Sequence, residues 1–450
     1  MSAIAEETLP RRLGLWSAMA VVVGLTIGSG IFRTPAAIVT RLPGPAPLIT
    51  VWIVGGLVAL CGALTLSELS SAHPRTGGIY VYIRDAFGPL LAFLFGWAEL
   101  VIIGAAAAAA ISTTFAEYAL RVFGFDPGLP PYDSAARYLA AAAIIVLSAV
   151  NIVGIRWSSL VQNSTTIAKF AALFFIITIA IGGGVVRGTT HYTPLVPAGS
   201  FSIAPFGLAL VSVLWAYDGW AELAYISGEV KDPQRTLPRA LILGTLVIIA
   251  LYVLANIAYL SVLSVDEIRV SRLVAADAAH RLFGPAGVAF VGITVMVSTF
   301  GSLNASILTN PRVIFAMASD GLLFRQLARV HPRFQTPHIA IAVTMVLGVA
   351  FAMSRSFEQL ANTFITAILP FYALGVGSIF VLRRRGGVST FRTPLYPLTP
   401  LLFIVATLYL LANALLDTVS RIPTLAVFGV IALGAPVYFV TVARVNQSAK

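Results

Sequence analysis

Long apolar runs, each of about 20 residues and separated by short polar connectors, recur from one end of the chain to the other. About twelve are present, over 13–39, 46–70, 88–123, 137–154, 158–184, 204–228, 237–263, 285–318, 338–353, 357–381, 397–416 and 423–442. A run of this length crosses a hydrocarbon core of roughly 30 Å as a helix. The pattern predicts an all-α polytopic membrane protein, since lipid forces every backbone polar group to be satisfied within its own segment. No polar stretch is long enough for a separate soluble domain. The N-terminal run follows Arg11 and Arg12 but is too long for a signal-peptide core, so it reads as the first span.

Composition agrees with lipid as a solvent: 58% of residues are hydrophobic and 10% charged, with a mean hydropathy of +0.91. The net charge of +11 would suit nucleic acid if the basic residues clustered on a soluble surface. They do not. With the N-terminus placed in the cytoplasm, about 17 fall in inner segments (Arg11, Arg12, Arg75, Arg84, Arg156, Lys231, Arg235, Arg239, Arg325, Arg329, Arg333, Arg383, Arg384, Arg385, Arg392, Arg444 and Lys450). About nine fall in outer loops (Arg41, Arg121, Arg137, Arg187, Arg269, Arg272, Arg281, Arg355 and Arg421). That bias predicts cytoplasmic N- and C-termini in a cytoplasmic membrane, and no nucleic-acid partner. Cys61 is the single cysteine, so no internal disulfide and no cysteine metal site is expected. His73, His191, His280, His331 and His338 lie in loops or at span ends, which argues against a membrane-embedded hydrolase. Ser29, between two glycines, has no histidine within any span to activate it. A channel would more naturally carry a repeated filter or a ring of like charge, and neither is present. No cofactor or metal is expected.

Irregularities inside the apolar runs carry the functional signal. The first span contains Gly24, Gly28, Ser29 and Gly30 where an unbroken helix would favour Leu or Ala. A small-xxx-small packing face is the plainer explanation. About 190 residues later, however, the sixth span carries Trp215-Ala216-Tyr217-Asp218-Gly219-Trp220 in mid-membrane. Two interrupted helices at matching places in two halves point to an inverted-repeat transporter with its substrate between them. A helix broken at Gly28–Gly30 presents backbone N–H groups that suit a carboxylate, and freed carbonyls near Trp215 to Tyr217 suit an ammonium group. A zwitterionic amino acid matches both.

On these residues the chain resembles the amino acid–polyamine–organocation transporters, and among them the L-type amino acid transporters and their bacterial relatives. Gly28-Ser29-Gly30-Ile31-Phe32 is similar to the family's first-span break, and Glu68-Leu69-Ser70 through Pro74, Gly77-Gly78 and Tyr80 to the loop after the second span. Ala216-Tyr217-Asp218-Gly219-Trp220 with Gly228-Glu229-Val230-Lys231-Asp232-Pro233 and Leu237-Pro238 is similar to its sixth-span signature. Phe300-Gly301-Ser302-Leu303-Asn304 through Pro311-Arg312 and Asp320-Gly321 is similar to the eighth-span one.

The resemblance implies a LeuT-type fold: two inverted five-helix repeats over 13–184 and 204–381, two additional helices over 397–442, and cytoplasmic tails over 1–12 and 443–450. Discontinuous helices 1 and 6 would hold the substrate. Backbone groups of Thr26, Ile27, Gly28, Ser29 and Gly30 would bind its carboxylate and part of its ammonium, and Trp215, Ala216, Tyr217, Asp218 and Gly219 would complete the site, with Trp215 as an outer gate. Asp218 is expected chiefly to cap the half-helix starting at Gly219. Lys169, about 11 residues and so roughly 16 Å into the fifth span, is too deep to reach water easily. In sodium-coupled relatives a cation bridges spans 1 and 8; here the ammonium of Lys169 would take that place, with carbonyls near Gly24 and the hydroxyls of Ser298, Thr299 or Ser302 as partners. The expected activity is sodium-independent alternating-access transport, by exchange or uniport, of small neutral L-amino acids. Proton-coupled symport and transport of cationic amino acids or polyamines are the alternatives. Animal L-type transporters join a glycoprotein through a cysteine after span 3; here 124–136 holds none, so no disulfide-linked heavy chain is expected. Glu99, Glu117, Glu222 and Arg312 could relay protons, but are expected at vestibule edges or in ion pairs.

Overall fold

A computed structural model describes residues 10–187, 190–199, 202–271, 273–386 and 389–440. Most of both predicted tails, Arg272, and the side chains of Arg156 and Arg187 lie outside the described residues. Eleven helices among these residues are long and apolar enough to cross a membrane, and a shorter apolar helix, His338–Ser354, stands where the ninth run was predicted. The first half comprises α1 (Leu15–Thr26), α2 (Gly30–Arg41), α3 (Pro45–Ala72), α4 (Ile79–Phe87), α5 (Pro89–Ala98), α6 (Gly104–Val122), α7 (Tyr132–Val153) and α8 (Ile155–Arg187). The second comprises α9 (Ile203–Tyr217), α10 (Pro233–Val262), α11 (Val265–Val270), α12 (Val274–Phe283), α13 (Pro285–Thr309), α14 (Pro311–Ser319), α15 (His338–Ser354) and α16 (Phe357–Arg384). Two further helices, α17 (Leu398–Leu416) and α18 (Arg421–Ala432), follow. Many helices open on proline at their first position, as at Pro45, Pro89, Pro233, Pro285 and Pro311, where the missing N–H costs nothing and φ is already helical.

The predicted interruptions fall inside the first and sixth spans. α1 ends at Thr26, residues 27–29 are non-helical, and α2 starts at Gly30. α9 ends at Tyr217, Asp218 is extended with ψ 152°, Gly219 has φ +115°, and a 3-10 segment covers Ala221–Glu229. The two broken spans run in opposite senses. Leu13 pairs with Val230, and the N–H groups of Arg12 and Leu13 donate to the Glu229 carbonyl at 2.8 and 3.0 Å, so the start of α1 lies beside the end of the 3-10 segment. At the other end α2 packs on α9. This is the inverted arrangement of a LeuT-type fold. A turn of π-helix, Glu99–Ile103, joins α5 to α6 within the third span.

Burial separates core from periphery. In the first span 72% of the apolar window is buried within the protein, against 17% in the last, so the broken helix is central and the C-terminal helices face lipid. Large apolar residues such as Val146, Phe174, Val405 and Ile422 are exposed, as the bilayer requires. The interior holds a polar ladder instead of a uniform apolar core. Asn304 of α13 accepts from Asn151 at 3.0 Å and donates to the Ser158 carbonyl at 3.0 Å; Gln162 and Thr166 of α8 donate to the Ala20 carbonyl at 3.0 and 3.2 Å. With no water to compete, such bonds fix the depth of α8 against α1 and α13.

Candidate functional site

The two interruptions meet at mid-depth. A Cβ placed on Gly30 would overlap the Cα and Cβ of Ala216, so the backbones of α2 and α9 touch without an intervening side chain. At Gly219, where φ +115° already disfavours other residues, a Cβ would lie 2.7 Å from Thr26 Oγ1. Between the breaks lies a small cavity. Leu25, Thr26, Gly28, Ser29 and Gly30 line it from the first break, Trp215, Asp218 and Glu222 from the second, and Ala107, Ile111 and Phe364 from α6 and α16. No side chain caps the N-terminus of α2, whose first-turn N–H groups make an anion site of the kind a carboxylate takes.

Not all the predicted residues line this cavity. The carbonyl of Ile27 turns towards Lys169, and Ala216 is the floor against Gly30. Tyr217 points away: its hydroxyl donates to the Trp52 carbonyl at 3.1 Å and its ring packs on Trp52 and Tyr252. The capping role expected of Asp218 is overturned. The segment that follows is 3-10 and starts at Ala221 with no side-chain cap, while the Asp218 carboxylate accepts the Tyr372 hydroxyl at 2.6 Å. Tyr252, which the sequence does not single out, ties the breaks together. Its hydroxyl lies 2.5 Å from the Thr26 carbonyl and 3.0 Å from that of Ala216. Each of those carbonyls keeps a second lone pair for a substrate ammonium.

Lys169 is buried, 1% exposed. Its Nζ donates to the carbonyls of Gly24 at 2.5 Å, Ile27 at 2.9 Å and Ser298 at 2.8 Å, and to Ser302 Oγ at 3.1 Å. A single ammonium therefore joins α8 to the end of α1 and to α13. The Ser298 hydroxyl is itself a donor to Ile27, at 2.7 Å. Thr299 is not a partner, because its hydroxyl turns back to the Val295 carbonyl of its own helix at 2.7 Å.

The cavity of about 30 Å³ is shut on both sides, unequally. Towards α2, the Trp215 ring meets Phe364 and Phe357 edge-on at 5.3 and 5.9 Å, and Arg33 lies 4.2 Å above Phe357 while pairing with Glu117 at 2.5 Å and Glu358 at 3.1 Å. Beyond that thin lid opens a polar vestibule of about 450 Å³. Towards the start of α1, closure is thick. It includes the 12–13/229–231 backbone pairing, the buried Arg312–Glu229 pair at 3.0 Å, and the bridge from Arg84 to Asp320, which also accepts from Tyr80. Glu117 and Arg312 thus sit in ion pairs as expected. Glu222 does not sit at a vestibule edge: it lines the cavity and accepts from Thr309. Glu99 is buried at the start of the π-turn, and neither of its carboxylate oxygens has a hydrogen-bond partner among the described residues.

Residues 13–441 match the family described as amino acid permease. The chain belongs to that family. The permease is 34% identical over 439 residues to the serine/threonine exchanger SteT of Bacillus subtilis, covering 96% of this chain and 97% of the relative. It is 33% identical over 376 residues to the human b(0,+)-type amino acid transporter 1, covering 84% and 77%, and 30% identical over 433 residues to the human cystine/glutamate transporter, covering 96% and 85%. The permease is accordingly an amino acid transporter and not an enzyme. Two expectations about its side-chain wall change: Asp218 and Glu222 both face the cavity, where no acidic wall was foreseen.

Proposed function

We propose that this permease exchanges small neutral L-amino acids across the cytoplasmic membrane without sodium, with both termini in the cytoplasm and 13–184 and 204–381 as the alternating repeats. The observation that carries this reading is the pairing of an uncapped α2 N-terminus with the four-oxygen seat of Lys169. The first suits the substrate carboxylate. The second supplies a fixed positive charge between α1 and α13, so a sodium ion there would meet like charge and occupied oxygens. The likeness to a serine/threonine exchanger over nearly the whole of both chains supports small neutral substrates and exchange. The alanine run Ala105–Ala110, whose Ala107 lines the cavity, leaves room for a short side chain.

The Arg33 strap and Trp215 then form the outer lid, and the thicker contacts around Glu229 form the inner closure. Purified protein in liposomes, loaded with unlabelled serine and offered a panel of labelled amino acids in choline buffer, tests this directly. Exchange of serine, threonine or alanine is expected to proceed unchanged when sodium replaces choline. A strict sodium requirement would overturn the assignment of Lys169, and uptake confined to arginine, lysine or a polyamine would assign Asp218 and Glu222 to a cationic side chain.

A further inference from the structure

Three carboxylates converge where the second break meets the third span. Asp218 and Glu222 line the cavity, and Glu99 lies close enough that Glu222 feels the charge of both. Glu99 is 1% exposed and Glu222 4%. The other groups facing them are neutral or acidic: Tyr225 on the 3-10 segment, Tyr372 on α16, and Thr309 on α13. The nearby cations are engaged elsewhere, Lys169 on the carbonyls of α1 and α13 and Arg312 on Glu229. Asp218 has the Tyr372 hydroxyl and Glu222 that of Thr309. Glu99 has no donor for either oxygen among the described residues.

Ionised carboxylates taken from water need cations or several donors, and carboxylates that share a site do not all ionise together. We propose that Glu99 and Glu222 hold one proton between them, taken from the aqueous phase through the substrate cavity, and that this proton is a co-ligand of neutral substrates. The O–H formed on one carboxyl can donate to the other, which supplies the donor Glu99 lacks. With the proton bound, the wall beside the substrate side chain is less negative and accepts a neutral amino acid. Without it, the wall repels the substrate carboxylate. The π-turn that begins at Glu99 sets this carboxyl in an irregular stretch of helix, a feature frequent at functional sites. The coupling to substrate rests on the reading of the cavity as the amino acid site; proton occupancy does not.

Two measurements separate these parts. Infrared spectroscopy of the purified wild type in lipid at neutral pH is expected to show the carbonyl stretch of a protonated carboxyl, diminished in Glu99→Gln and in Glu222→Gln. Should both variants fail to insert, titration of the wild-type band above neutral pH decides. Labelled serine exchange, with equal pH on both sides, is expected to fall about tenfold per pH unit once that proton is lost, and Glu222→Gln, a neutral mimic, is expected to flatten the profile. No protonated-carboxyl band at neutral pH, or a band unchanged in both variants, overturns the shared proton. Serine exchange that stays flat while the band titrates overturns its role as co-ligand. Loss of the band on adding lysine assigns the cluster to a cationic side chain instead, and also overturns it. Absence of exchange for every amino acid at every pH would count against the transport reading, while the band is read without transport.

Discussion

Replacing Lys169 by alanine removes one ammonium from four oxygens. Hydrogen bonds to a charged group are worth about 1.5–3 kcal/mol each, yet these oxygens are not left bare. Ser302 Oγ is 2.8 Å from the Gly24 carbonyl and 3.2 Å from that of Ser298, and Ser298 Oγ donates to Ile27 at 2.7 Å. The net loss is then about one to two such bonds, or about 2–3 kcal/mol, in the state where α1 lies against α13. At 1.4 kcal/mol per decade this shifts the conformational balance by about 30–150-fold. Because Lys169 does not line the substrate cavity, substrate affinity should change far less than turnover. Exchange in liposomes is expected to drop by about that factor, with binding in a scintillation-proximity assay altered less than about fivefold. Lys169→Met keeps most of the volume and discards the charge, so it should be as slow as the alanine variant. Unchanged exchange kinetics in either variant would refute the argument, and a methionine variant with full activity would show that packing, not charge, is what the site needs.

Gly30→Val would drive a side chain into Ala216 and part α2 from α9, so substrate binding should be lost while the protein still elutes as a single peak; retained affinity would remove the first break from the site. Tyr252→Phe deletes only the hydroxyl shared by the Thr26 and Ala216 carbonyls, a loss of about 1–2 kcal/mol that should slow exchange about tenfold, read against an unchanged melting temperature. Outside the membrane, Ser264 and Glu267 form a reciprocal cap at the start of α11, and the Ser264 N–H holds the Glu267 carboxyl below its usual value. A lowered native value means the cap contributes above the unfolded pKa and is lost as pH falls through the native one. Amide exchange in α11 should therefore quicken below about pH 4, and in Ser264→Ala at neutral pH, where about 1 kcal/mol is lost.

What the sequence made legible follows from where physics leaves a mark in one dimension. Glycines clustered in an apolar run disclose a break, and a lysine far from either end of a span discloses a buried charge with a purpose. Thr299 was placed beside Lys169 because adjacent helical residues differ by about 100° in direction, and span boundaries are not sharp enough to choose between Ser298 and Thr299. Tyr252 was invisible for another reason: in an apolar helix a tyrosine reads as core, and only the third dimension shows what its hydroxyl meets. The acidic wall escaped because the segment after Asp218 is 3-10, so the direction of Glu222 cannot be counted from α-helical periodicity. Glu99 is similar, since the extra residue of a π-turn re-phases everything after it.

The contact between Gly30 and Ala216 also bears on how the molecule can move. With no side chain between them, α2 cannot tilt without displacing α9, so the half-helices on the vestibule side travel as one pawl. At the opposite end, strand-like pairing of residues 12–13 with 229–231 makes α1 and the 3-10 segment a second pawl. The non-helical residues 27–29 and the turn at Asp218–Gly219 are the only covalent links between the two. Two rigid latches on a common pair of pivots can release in turn, and a solute released through one meets the other still fastened.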